Sequence, residues 1–186
     1  MKHPMAKAAS LVLALAPLAS GALVAGMAGA ASTHVTETMT LVTNTTGPLG
    51  GQPRILNSSW TVKKGETVTV RIINHDDGTA PLTGNYMKYD KVMGTTTGKE
   101  LVSGKATTLV SDINIAHTFT IPGLGFNMPI PAAPTGKTNV IVATFVAKKS
   151  GTFIWHCYAP CGSGSDGMKG SMATMTWMEG QIKVLA

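Results

Sequence analysis

From residue 32 onward the apolar positions recur mostly with a period of two. Val68, Val70 and Ile72 alternate with Thr67, Thr69 and Arg71, the spacing of a strand with one face in a core. Residues 140–146 form a nearly continuous apolar run, which predicts a strand buried on both faces. Shorter runs predict strands at 35–43, 55–62, 115–121, 152–158 and 180–185. Lys64-Gly65, Asp77-Gly78 and Ser150-Gly151 separate several of them as turns. No capped amphipathic helix of ordinary length is present, so the pattern predicts an all-β sandwich or barrel. Two stretches depart from it. Residues 78–110 are polar and rich in Gly and Thr, and read as an insertion or a long hairpin. Residues 161–177 carry Gly, Ser and Met without a strand pattern, and unpatterned loops of that length are usually functional or disordered.

The N-terminus reads differently. Lys2 and Lys7 precede an uncharged stretch of Ala, Leu, Val, Gly and Ser that ends in Ala28-Gly29-Ala30. This is the build of an export signal, and residues 1–31 are assigned to it. At about 24 uncharged residues it is also long enough for a membrane anchor, and membrane association depends on its being retained. Residues 32–186 then make one domain, and the location is periplasmic, extracellular or at the cell surface. The chain has 186 residues and a formal net charge of +6, about +4 once Lys2 and Lys7 are removed. Its lysines are scattered and not interleaved with aromatics, so nucleic-acid binding has no support. No Ser/His/Asp arrangement, paired carboxylates or phosphate loop suggests catalysis by this chain alone.

Strand parity picks out the candidate chemistry. His117 shares parity with Phe119 and Ile121, and Cys157 with Phe153 and Trp155. Side chains at i, i+2 and i+4 of a strand lie on one face, so both point inward. Met178 shares parity with Gly180, Ile182 and Val184, at the inner start of the last strand. Imidazole, thiolate and thioether together form a copper electron-transfer ligand set. Cys157 and Cys161 are the only two cysteines, and in an exported chain the alternative to metal binding is a disulfide between them. Met168, Met172, Met175 and Met178 crowd one loop. They suit Cu(I), or they simply pack over the site.

Residues Asp112 to Pro122, Ile130-Pro131, Ser150-Gly151-Thr152-Phe153 and Cys157-x3-Cys161-Gly162 resemble the cupredoxin family. They are most similar to the copper-A domains of cytochrome c oxidase subunit II and nitrous oxide reductase, and to small exported bacterial cupredoxin-domain proteins. The resemblance covers mainly residues 112–186 and implies a cupredoxin-like Greek-key β-sandwich. It implies copper ligation by His117, Cys157 and Cys161, with the number of copper ions open. It places a second histidine where this chain has Ser165. It puts the weak methionine ligand at Met168 when counted from the cysteines. Counted from the Met-x-Gly-x-Ile-x-Val ending, the methionine is Met178.

Trp155-His156-Cys157 is also similar to multicopper oxidases, but Tyr158 stands where their second histidine falls, and no His-x-His pair exists. By parity His156 points away from Cys157, as a surface residue or an electron exit, while a strand bulge would turn it inward to replace the missing second histidine. His75, at a strand end beside Asp76 and Asp77, reads as a turn residue, with recruitment to the site as the alternative. The expected function is electron transfer with a redox protein or a terminal oxidase as partner. The alternatives are Cu(I) storage or delivery, and a metal-free sandwich with a Cys157–Cys161 disulfide.

Overall fold

In the computed structural model, which describes residues 33–43 and 45–186, eleven strands form two sheets. They are β1 (His34–Val42), β2 (Arg54–Leu56), β3 (Trp60–Lys63), β4 (Thr67–Asn74), β5 (Glu100–Val102), β6 (Lys105–Thr107), β7 (Ile115–Ile121), β8 (Phe126–Pro131), β9 (Asn139–Val146), β10 (Gly151–His156) and β11 (Glu179–Leu185). The first sheet runs β2-β1-β4-β9-β5-β6 and the second β3-β11-β10-β7-β8. Strands distant in sequence lie side by side, β4 by β9 and β7 by β10, as in Greek-key connections. The fold is the all-β Greek-key sandwich that the sequence predicts. The described residues form one compact unit. The export signal predicted at 1–31 lies outside the described residues. Among the described residues no helix is long and apolar enough to cross a membrane.

Alternation builds the core. Val68, Val70 and Ile72 of β4 are fully buried, and Ile182 and Val184 of β11 face them from the second sheet's side of the same core. An aromatic layer fills the space between: Trp155 lies 4.7 Å from Phe119, which meets Phe126 edge-on, and Phe126 lies 4.8 Å from Phe145. Such ring pairs add ~0.5–1.5 kcal/mol each beyond the area they bury.

Three strand expectations need correction. The run 55–62 is two strands in different sheets, because Asn57 takes a left-handed turn at φ 57° and carries the chain across. Asparagine tolerates that conformation better than most residues. Strand β9 is buried on alternate positions only: Ile141, Ala143 and Phe145 face the core, while Val140, Val142, Thr144 and Val146 are half-covered. Strand β8 was not expected, since Pro129 and Pro131 mask its pattern. It sits at a sheet edge, where proline is tolerated. Residues 78–110 contribute a 3-10 segment, Gly84–Asp90, and the hairpin β5–β6, which extends the first sheet beside β9.

Gly180 pairs with Trp155 across β10 and β11. A Cβ there would collide with Trp155 Nε1, which donates a 2.7 Å hydrogen bond to the Ser58 carbonyl. Gly180→Ala therefore breaks a buried bond on β10, the strand that leads to Cys157. It is expected to lower stability by about 1–3 kcal/mol, read as an earlier urea midpoint at unchanged m-value.

Candidate metal centre

β7 and β10 deliver the two inward residues to the same end of the sandwich. A bulge at Ala116, between the Ile115–Pro131 and His117–Ile130 pairs, lies next to His117. Bulges re-aim side chains near sites. Cys157 lies one residue past the end of β10. Its N–H donates to the Met178 carbonyl at 3.0 Å. Its sulfur accepts the Thr118 N–H at 3.3 Å, and Thr118 Oγ1 accepts the Tyr158 N–H at 2.9 Å. The cysteine is thus pinned to both neighbouring strands.

Donor atoms of His117, Cys157 and Cys161 all lie within 4.8 Å of one another. The two sulfurs stand 3.6 Å apart as free thiols. His117 is fully buried. Its Nε2 is 2.7 Å from Asp76 Oδ2, whereas its Nδ1 is a buried nitrogen with no hydrogen-bond partner. An orphaned buried ring nitrogen is costly in an apolar interior, and beside two sulfurs it is what a metal-ligating imidazole presents. Carboxylates that hold the other ring nitrogen fix the tautomer and orientation of such ligands.

Asp76 is held in turn. Its Oδ1 accepts the Gly78 N–H at 2.8 Å, and its backbone N–H donates to Asn74 Oδ1 at 2.9 Å. Burial pushes the Asp76 carboxyl up, but the hydrogen bond and charge of His117 outweigh it and leave the carboxyl below its ordinary value. Burial alone would depress His117. The Asp76 hydrogen bond and the proximity of Cys157 instead raise it to about 9. Burial raises the Cys157 thiol, yet Cys161, His117 and the Thr118 N–H bring it well below the usual thiol value. Burial and the neighbouring Cys157 push Cys161 up. The centre thus favours a thiolate at Cys157 and a positive charge beside it, an arrangement that a metal cation satisfies.

The remaining predicted residues fall in different places. The thioether that the structure sets against a cysteine sulfur is that of Met172, with Sδ 3.1 Å from Cys161 Sγ. Met178 is fully buried, and its carbonyl holds Cys157. Met168 is half-buried at the edge of the same apolar cluster, its N–H on Asp166. Ser165 is exposed in the intervening loop. Gly162 lets this loop close. A Cβ there would strike the Lys169 carbonyl, and would lie 2.7 Å from Met172 Cγ. His156 points outward, its Nδ1 3.3 Å from Glu179 Oε2. His75 is exposed and lines a surface depression with Asp77 and Lys137.

Sequence reasoning missed Asp76 as His117's partner and did not single out Met172. The only signals were the acidic turn after β4 and the crowd of methionines. Asp76→Asn is expected to weaken metal binding at this centre by about 10–100-fold, as loss of outer hydrogen-bonding partners generally does. Competition with a Cu(I) chelator measures it. A change in thermal stability with unaltered affinity would make the contact merely structural.

No family model matches the chain, and no curated protein matches it. Among solved structures it is similar to rusticyanin from Thiobacillus ferrooxidans, with 14% identity, 82% of this chain and 78% of that chain covered, and a TM-score of 0.40. Reduced rusticyanin matches at the same identity and TM-score, covering 80% of that chain. The multicopper oxidase mgLAC matches at 16% identity and a TM-score of 0.38, with 82% of this chain and 39% of that chain covered.

Proposed function

We propose that this chain is an exported copper protein of the cupredoxin kind that passes single electrons to and from another redox protein or a terminal oxidase. One observation carries the reading: the orphaned Nδ1 of fully buried His117 within 4.8 Å of the Cys157 and Cys161 sulfurs. Two sulfurs and an imidazole also fit zinc. The Met172 thioether on Cys161 favours copper, because thioethers are soft ligands that zinc sites do not use. His117, Cys157 and Cys161 would hold the ion, with Met172 as the adjacent soft donor and Asp76 orienting the imidazole. Met168 and Met178 remain the weak ligands that the family resemblance proposes. Copper bound here would supply a one-electron couple. The surrounding strands would keep His117 and Cys157 fixed between its two states and exclude water from those two donors.

The test is copper stoichiometry with electron paramagnetic resonance on the loaded protein. A coloured, reversibly reducible form supports the reading, and the hyperfine pattern tells one copper nucleus from two equivalent ones. A colourless protein whose cysteines are oxidised to each other after loading overturns it.

A second reading, Cu(I) storage or delivery, has its own support. The Cys161–Met172 contact joins two soft sulfurs, and a surface cleft of about 260 Å³ bordered by Asp76, Ala116, Pro160 and Cys161 reaches the half-buried Cys161. Tight Cu(I) binding with no stable coloured oxidised form selects this reading over the first.

A further inference from the structure

The chain has three tyrosines, and beside the candidate metal centre Tyr86 and Tyr89 both stack on Tyr158. Tyr158 follows Cys157 directly. Its ring lies 4.4 Å from Tyr89 at an interplanar angle of 9°, and 5.1 Å from Tyr86 at 24°. Tyr86 and Tyr89 belong to the 3-10 segment Gly84–Asp90, which is tied firmly to the second sheet. Asn127, fully buried on β8, donates its side-chain amide to the carbonyls of Tyr89 at 2.9 Å and Lys91 at 2.6 Å, and accepts from Thr120 Oγ1 at 2.6 Å. The stack is therefore built into the fold from three directions. It runs from the residue bonded to Cys157 to the surface, where Tyr86 is 36% and Met87 55% exposed. Exposed Lys88 and Lys91 flank that end, with the Lys88 Nζ 5.1 Å from the Tyr89 ring centroid.

We propose that the Tyr158–Tyr86 ring contact, with Tyr89 also stacked on Tyr158, is the electron route between the metal centre and the surface, and that its Tyr86–Met87 end, rimmed by Lys88 and Lys91, docks an acidic one-electron carrier protein. The proposal rests on the copper reading above. One electron leaves the reduced centre and reduces the oxidised carrier, or makes the reverse journey. The phenols serve as the medium and are neither oxidised nor deprotonated. Contiguous π-contact carries the coupling, and the lysines steer the acidic partner, an effect that speeds association by about 10–10³-fold.

Two measurements test it. In the first, the copper-free protein is titrated with hexacyanochromate(III), a paramagnetic anion that transfers no electron here. Amide signals of residues 84–91 and Tyr158 should broaden first. Broadening confined to other lysines, such as Lys63-Lys64 or Lys148-Lys149, overturns the docking site. In the second, stopped-flow follows oxidation of the copper-loaded protein by anionic hexacyanoferrate(III) and by a cationic cobalt(III) complex. Lys88→Glu with Lys91→Glu should slow the anion by about tenfold and spare the cation. Tyr86→Ala should slow both, and Tyr158→Phe should slow neither, since the stacked ring remains. Unchanged rates in Tyr86→Ala, with spectrum and potential intact, overturn the route alone. Absence of any reversible copper couple in the unaltered protein overturns the copper reading and the route with it.

Discussion

Replacing Cys157 by serine is expected to abolish the visible absorption of the copper-loaded protein and to cost far more affinity than the ~10–100-fold of an outer-partner change. The reason lies in the sulfur and its surroundings. Only a thiolate ligates well, and the thiolate of Cys157 is favoured by His117, by Cys161 and by the Thr118 N–H at 3.3 Å. A serine hydroxyl is a hard donor that stays protonated, and soft copper discriminates against it. The substitution is nearly isosteric at a site only 3% exposed, so the fold should survive, with the far-ultraviolet circular dichroism as control. Cys161→Ser and Met172→Leu act on the contacting pair of sulfurs and should shift the spectrum or the potential without erasing the bound metal. A Cys157→Ser protein that still binds copper tightly and keeps the same colour would remove the thiolate from the centre.

The inward direction of His117 and Cys157 was legible because it depends on nothing beyond strand parity. Phe119 and Trp155, two positions from each, are fully buried, although β7 is buried at every position, so on that strand parity gave the direction of His117 and not the contrast in burial. Asp76 was not legible in the same way. Its contact with His117 spans 41 positions and depends on the turn after β4, where Asn74 holds the Asp76 backbone and also donates to the Pro131 carbonyl. Met172 was hidden among four methionines. It is selected by the path of the loop, which Ser163 and Lys169 close with a pair of 2.9 Å backbone bonds and which requires the absence of a side chain at Gly162. In both cases a local pattern names the residue type, and tertiary closure decides which copy is used. The valines of β9 misled for a related reason. They are strong strand formers on a face that the sandwich leaves half-covered, and intrinsic preference says nothing of burial there.

Glu100→Gln is expected to stabilise the protein at neutral pH by up to about 3 kcal/mol. Glu100 is 1% exposed on β5, and neither carboxyl oxygen has a hydrogen-bond partner. Burial pushes the carboxyl from 4.5 up to about 9, so the folded protein holds a proton there that the unfolded chain releases above its own value. Stability from this group is fully present below pH about 4.5, and falls as pH rises from there toward 9, because the unfolded state is the one that gains by ionising. Glutamine leaves an equally neutral amide in the same place without that dependence. The gain should thus vanish near pH 4 and appear at pH 7 as a higher unfolding temperature, by about 2–4 °C per kcal/mol in a domain of this size. Equal stabilities of the two proteins at pH 7 would mean that the carboxyl ionises in place, with water or a cation reaching it. The copper spectrum should not move in either case. Glu100 hangs from the first sheet, whereas His117 lies on the second and Cys157 one residue beyond its strand β10, so the proton on one sheet and the ligands on the other titrate as separate systems.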